Sequence, residues 1–472
     1  MSGSSFRGLP SVNELLNSPA LKGMLEKVGD VNVTASVMGL MDRVRTEVQG
    51  VVSSLSASAP VAAARRYVFG SGRDLGHLEQ KPTINGTGIL FSSRFASSLV
   101  PATLVQSMSQ AEGGYWPITL EKVSGARNPL QAQAEARLAQ FAKVDAAWLA
   151  GSFPLAMHVV FQALGSAGDT CIAACDTIEL PGQQRIRDVA NAAGLMMHVV
   201  GAANASTTAD FVRVLTENPR IQSLIYVAHS PANVSPAVVR IPISEMATLA
   251  KRFGKKLVVI ATDPTLIDLN AMGLNDWPSV PGLVGSGGDI WILPGDRFMC
   301  GPSVGMVLGN RELIASIAST SLGIAAVASP WESYWLSLVL ESATNGEKAE
   351  QELPLINLLS TSTANLEGRA SRLLPQLIAT GVVVSGEVVS TFASIDDNVT
   401  TSFSLPAIAL SLEPGAGRTS QQLAVQLEQG SPAVLASVVE NRLLINLKTV
   451  AAHQDMAIVE AFTQLAEPAK HG

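Results

Sequence analysis

Cysteine is nearly absent from the chain: Cys171, Cys175 and Cys300 are the whole set. So sparse and odd-numbered a set in a long chain excludes a disulfide framework and fits a reducing compartment. Cys171 and Cys175 form a Cys-x3-Cys pair with no third or fourth ligand nearby, so burial in a strand is expected and no metal site. Charge is thin as well, at 15% of residues, and the net charge of −7 comes without a lysine or arginine cluster long enough to follow a phosphate backbone. Nucleic-acid binding through bulk electrostatics is therefore not expected. Long apolar runs are missing too, since none approaches the roughly 20 residues of a membrane span. The opening Met1 to Pro10 holds one arginine and none of the apolar stretch that a signal peptide needs. A cytoplasmic protein with no membrane partner is the expectation.

What is present builds a core. With 472 residues and 47% of them hydrophobic, the chain can fill two or three domains. Val12 to Leu16, Leu21 to Val28 and Val37 to Leu55 place apolar residues at helical spacing, which predicts a helical module over residues 1–80. Short apolar runs then alternate with amphipathic segments. The runs include 147–150, 170–174, 196–200, 223–227, 256–261, 290–293 and 305–308; the segments include 130–142, 184–193, 208–218 and 243–253. This alternation predicts an α/β domain over residues 81–340, its mainly parallel sheet covered by helices on both faces. Beyond a helix at about 330–342, strands at 382–384, 407–412, 434–438 and 443–447 and helices at 420–429 and 454–465 predict a smaller α+β domain over residues 341–472.

Several segments, in order along nearly the whole chain, resemble the bacterial selenocysteine synthase (L-seryl-tRNA selenium transferase) family of fold-type I pyridoxal phosphate enzymes. Leu9 to Leu16 is similar to an opening LPSVDxLL, and Ile84-Asn85-Gly86-Thr87-Gly88 to INATG. Glu179 to Gly182 with Arg185 to Val189 looks like ExxGxFRIPDV. Leu266 to Leu269 with Gly273-Leu274 looks like LVDLxxxGL, and Leu444 to Val450 looks like LLDLRTV. The resemblance implies an aminotransferase-like large domain, a small C-terminal domain, a homodimer or higher homo-oligomer, and a helical N-terminal domain that binds transfer RNA in the true synthase.

The same resemblance places the family's cofactor lysine, in GDKLLGGP, on Arg297 of Gly295-Asp296-Arg297-Phe298-Met299-Cys300-Gly301-Pro302. A guanidinium stays charged and cannot form the Schiff base that lysine forms. The carboxylate that keeps the pyridine nitrogen protonated falls, ungapped, on Ile260; Asp263 substitutes only if the strand end is reshaped. The phosphate-and-ring segment falls on Ala150 to Ala156, where Gly151 and Ser152 at a helix start can still cradle an anion. Pro154 removes a donor there and Phe153 adds bulk. HTNLGR corresponds to Ser92 to Ser97, and GKRGSRYSH to Gly125 to Gln133, with one arginine kept. The family's two anion-pocket arginines fall on Ile324 and Val327.

Each candidate residue carries a plain reading beside its functional one. Arg297 is either a surface or core-rim residue bonding carboxylates such as Asp296 or a neighbouring strand end, or a retained anion site. His229, at the end of a predicted strand, is a hydrogen-bonded structural residue or part of the vestigial cleft with Gly151, Ser152 and Arg297. Trp331, Tyr334 and Trp335, at helical spacing, are expected to pack an interface. The leading expectation is a catalytically degenerate family member: no catalytic residue, no cofactor, and a binding, scaffolding or regulatory role as a homo-oligomer or beside an active paralogue. Its rivals are an active enzyme of the same fold that holds a phosphorylated ligand non-covalently, and a true L-seryl-tRNA selenium transferase.

Overall fold

The computed structural model describes residues 83–466 except 93, 96–97, 110–128, 178, 181–183, 232–237, 345, 398–403 and 416. The helical module expected over 1–80 lies outside the described residues, as do Gly125 to Asn128 of the basic run.

Beside a two-stranded ribbon of Glu179–Leu180 and Gln184–Arg185, thirteen strands among the described residues form two main sheets. In chain order they are β1 (Thr83–Gly86), β2 (Ile89–Phe91), β3 (Ala146–Ala150), β4 (Asp169–Ala173), β5 (Met197–Val200), β6 (Ile221–Ala228) and β7 (Lys256–Ala261). β8 (Ile290–Pro294), β9 (Gly305–Gly309), β10 (Val383–Asp396), β11 (Ser404–Pro414), β12 (Ala433–Val439) and β13 (Arg442–Asn446) follow. The larger sheet has the order β3-β9-β8-β7-β6-β4-β5, and its one antiparallel member, β9, lies between β3 and β8. The mainly parallel sheet expected from the alternation of runs is thus the observed one.

β7 shows why such a strand reads as continuously apolar. Leu257, Val259 and Ala261 join the core on one face of the sheet, whereas Val258 and Ile260 join the core on the other. Period-two side chains serve two cores only when helices cover both faces. Each fully buried aliphatic side chain contributes about 1.5–3 kcal/mol relative to exposure.

The helices that position the site follow the same logic. Helix α1 (Pro129–Ala142) packs Ala134, Leu138 and Ala142 into the first core, and α2 (Phe153–Gly165) packs Met157, Val160 and Phe161 into the second. Helix α3 (Ile243–Phe253) ends on Gly254, whose φ of +61° supplies the left-handed C-cap. Helix α4 (Pro330–Ala343) begins with a capping box between Ser329 and Glu332 and lies against α1.

The second sheet has the order β1-β12-β13-β11-β10-β2, and α5 (Thr363–Ala379) packs on it. Its outer strands β1 and β2 are joined by only Thr87 and Gly88, although they stand at opposite ends of that order. Residues 83–91 are therefore built into the sheet of the C-terminal strands.

Candidate functional site

The carboxyl ends of the parallel strands β4, β6, β7 and β8 share one edge of the larger sheet. Ligands of open α/β sheets bind at that edge, because loops leave it and helix N-termini face it. Pairing fixes which residues meet there: Ala150 of β3 and Pro294 of β8 both stand opposite Gly305, so Gly151 and Gly295 leave the sheet at the same level. Ala228 pairs with Ala261, so His229 and Thr262 leave together.

Arg297 occupies the turn after β8. Its backbone takes φ +54° and that of Cys300 φ +58°, a region that costs an ordinary residue about 1–2 kcal/mol. Closure of the turn offsets that cost: the amide of Gly301 donates to the carbonyl of Gly295 at 2.9 Å, and those of Met299 and Cys300 donate to Asp296 and Arg297 at 3.0 Å. The buried rings of Trp277 and Phe298 pack at 5.2 Å behind it. Strain held this firmly is typical of functional turns.

The Arg297 side chain is only 15% exposed and already carries partners. Its Nε donates to Oδ1 of Asp263 at 2.5 Å, and its Nη2 stands 3.7 Å from Oδ2 of Asp396 at the end of β10. Its guanidinium carbon lies 4.4 Å from the ring centroid of Phe91 on β2, within cation–π reach. One side chain thus ties the edge of the larger sheet to two strands of the smaller.

Asp263, not Ile260, is the carboxylate that faces position 297. Ile260 points into the second core and is fully buried there. Asp263 follows the end of β7, is buried itself, and accepts a hydrogen bond from the hydroxyl of Ser230 at 3.1 Å through its second oxygen. β7 stops at Ala261, and Pro264 follows Asp263.

His229 precedes Ser230 in sequence but faces a different carboxylate. Its ring is buried, and Nε2 stands 3.5 Å from Oδ1 of Asp176 without a hydrogen bond. Asp176 is instead held by Arg240 Nη2 at 2.6 Å and by the amide of Val227 at 3.2 Å. Neither ring nitrogen of His229, nor the hydroxyl of Thr262, has a hydrogen-bond partner among the described residues. Buried polar atoms are normally satisfied, so orphans at a strand edge mark where a polar ligand fits.

Gly151 and Ser152 form the start of α2. Ser152 is the N-cap, its Oγ accepting from the amide of Leu155 at 3.3 Å, and Pro154 sits where its missing donor costs the helix nothing. Gly305 on β9 passes so close that a Cβ there would run into the Ser152 carbonyl oxygen and the Ala156 side chain. Ile324 is exposed, and Val327, also exposed, bridges to Ala150 beside Gly151. Both exposed side chains at this end of the strand edge are therefore apolar.

Cys175 touches this cluster, its thiol donating to Oδ1 of Asp176 at 3.7 Å. Cys171 and Cys300 are buried, and burial pushes each thiol up to about 12. Cys175 is half-buried, its thiol also raised, first by burial and then by Asp176 beside it. Among the described residues no group of three or more His, Cys, Asp or Glu could hold a metal ion, and no helix is long and apolar enough to cross a membrane.

Residues 83–451 match the family profile described as L-seryl-tRNA selenium transferase, and residues 6–45 match one described as the selenocysteine synthase N terminal. The chain is 24% identical over 470 residues to the L-seryl-tRNA(Sec) selenium transferase of Moorella thermoacetica, covering 99% of this chain and 98% of that one. It is 23% identical to that of Hyphomonas neptunium over 480 residues, 98% and 99% of the two chains. Among solved structures it resembles D-glucosaminate-6-phosphate ammonia-lyase, with a TM-score of 0.55 and 15% identity over 82% of this chain and 96% of that one. That likeness supports the aminotransferase-like fold.

The family match corrects the expectation that no cofactor belongs here: the matched family is one of pyridoxal phosphate enzymes, which implies a cofactor site. Several residues at this edge are of the kinds that hold such a group. Asp263 is a buried carboxylate suited to a ring nitrogen, the orphaned His229 and Thr262 are suited to polar substituents, and the start of α2 is suited to a phosphate. At position 297 a guanidinium, not an amine, faces Asp263.

Proposed function

We propose that this chain, which belongs to the L-seryl-tRNA selenium transferase family, keeps the family's cofactor cleft while Arg297 takes the place of the amine that would bond the cofactor. It acts as a binding or regulatory subunit and not as a selenium transferase. The observation that carries this reading is the 2.5 Å contact between Arg297 Nε and Asp263 Oδ1. A lysine in this turn would offer a nucleophile; arginine offers a fixed charge, and that charge is spent on two carboxylates.

The chain's own residues supply the rest. Asp263, oriented by Ser230, would hold the ring nitrogen of pyridoxal phosphate, and Gly151 with Ser152 would receive its phosphate at the start of α2. Bound there, the cofactor supplies an electron-withdrawing ring. The apolar Ile324 and Val327 at the rim offer no counter-charge to a second anion, which speaks against a selenophosphate-like substrate.

Equilibrium dialysis with pyridoxal phosphate, in parallel with phosphate and pyridoxal alone, tests the reading. Saturable binding that is fully reversed by further dialysis is expected. Transfer of selenium to seryl-tRNA by the purified chain would overturn it.

A further inference from the structure

On the reading of this cleft as a pyridoxal phosphate site, we infer that Arg297 blocks the cleft from within: it rests on the carboxylate that the ring nitrogen needs, and it admits the ring by passing to Asp396 on the smaller sheet.

The resting contact leaves no place for a ring. A pyridine nitrogen bonded to Asp263 stands a hydrogen bond's length away, about 2.7–3.2 Å, with the whole width of the ring behind it. Arg297 instead meets Asp263 directly, Nε to Oδ1 at 2.5 Å. The other oxygen, Oδ2, already accepts from Ser230 at 3.1 Å. Both oxygens of Asp263 are thus engaged by the chain itself, and a ring takes its place in front of them only when Arg297 withdraws.

A second seat is built for the withdrawn side chain. Releasing a mostly buried guanidinium with nothing to receive it would strand a charge. Phe91 and Asp396 stand opposite each other in the register of β2 and β10, so their side chains make one receiver of a ring and a carboxylate. Arg297 already leans on both, its guanidinium carbon 4.4 Å from the Phe91 centroid and its Nη2 3.7 Å from Asp396 Oδ2. The second contact is long for a charge-assisted hydrogen bond of about 2.7–2.9 Å, so it has room to tighten. Phe91 is held from its other side, edge-on against Phe298 at 5.0 Å. The turn itself need not move, because the long stem of arginine supplies the travel through its rotatable bonds.

The resting state is also incomplete. With Arg297 on Asp263, both ring nitrogens of His229 and the hydroxyl of Thr262 stay buried without a hydrogen-bond partner. The guanidinium serves Asp263 and leaves these atoms orphaned; a ring with polar substituents serves both groups. Since one side chain cannot fill two seats, occupancy of the cleft and the tightness of the joint between the sheets are linked.

Calorimetry on the full chain with pyridoxine 5′-phosphate, which has no aldehyde and so binds only reversibly, tests this. Arg297→Met keeps a long side chain without the charge and is expected to bind the probe about 5- to 150-fold more tightly than wild type, the ordinary span of such a coupling. Asp396→Asn weakens the second seat and is expected to bind it at least about fivefold more weakly. Inorganic phosphate, directed to the start of α2 and not to Asp263, is expected to bind all three proteins equally. If Arg297→Met loses its fold, Asp396→Asn decides. Equal affinity of the three proteins for the probe overturns the block and leaves the cofactor cleft standing; no binding by any of them overturns both. Weaker binding by a folded Arg297→Met variant overturns the block, since Arg297 would then hold the ring. So does a phosphate affinity that shifts in step with the probe, since the change would then be a general disturbance of the site.

Discussion

Arg297 donates through Nε to Asp263 across 2.5 Å, joining the turn after β8 to the end of β7. The pair stands where two of the strand ends converge, and a third residue, Asp396, brings in the smaller sheet. Position 297 therefore serves the architecture as well as the cleft.

Removing Asp263 should cost stability and cofactor together. Asp263→Ala leaves a mostly buried guanidinium with the longer contact to Asp396 and the ring of Phe91, and breaking such a pair costs about 3–5 kcal/mol. Asp263→Asn keeps an acceptor for Arg297 and Ser230 and should cost about 1–3 kcal/mol. Urea denaturation gives both values, and the Asn variant, still folded, should bind pyridoxal phosphate more weakly than wild type. Equal stability of all three proteins would show that the pair is not the joint described.

The approach of β9 to the start of α2 makes a second prediction. Gly305→Ala drives a methyl group into the Ser152 carbonyl and the Ala156 side chain, and overpacking of this kind costs about 1–3 kcal/mol. Because Ser152 moves, the affinity for inorganic phosphate and for pyridoxal phosphate should fall by a similar factor, read by calorimetry. Affinity for pyridoxal alone should change less. An unchanged phosphate affinity in the folded variant would remove the start of α2 from the site.

Glu135 predicts a pH dependence. Burial raises its pKa above the ordinary 4.5, against the lowering effect of hydrogen bonds from Gln131 and the Leu149 amide. A raised folded value means that the contribution of Glu135 is fully present below its unfolded pKa and is lost as pH rises through the folded one. Gln does not titrate, and its carbonyl can accept from the same Leu149 amide. Glu135→Gln should therefore have the higher Tm near neutral pH, with the advantage shrinking on acidification to about pH 4. A Tm difference independent of pH would contradict the assignment.

Much of this was legible in the residues. The segments Lys256–Ala261 and Ile243–Phe253 show their bounds plainly, because a doubly buried strand is unbroken in apolar character and an amphipathic helix ends at a glycine. The length of β10 was not legible beyond 382–384, since its middle is half-exposed and mixes polar with apolar side chains. The start of the helix Phe153–Gly165 is legible at Gly151 and Ser152, with Pro154 in its first turn, but its length is not. An ungapped comparison points to Ile260 and leaves Asp263 as the substitute; the carboxylate in contact with Arg297 is that of Asp263. The signal was present: Ile260 alternates with Val258 into the core, and Pro264 forces the strand to end just before it. The pairing of Arg297 with Asp396 and Phe91 depends on contacts between distant segments, which no local pattern carries.

The central claim is that this cleft receives its cofactor without a covalent bond because residue 297 is arginine. Wild type and Arg297→Lys should be incubated with pyridoxal phosphate, reduced with borohydride, and compared by intact mass and peptide mapping. The account predicts a cofactor-mass adduct on residue 297 of the variant and no adduct in the cleft of the wild type. A stoichiometric adduct on a cleft lysine of the wild-type chain would contradict it.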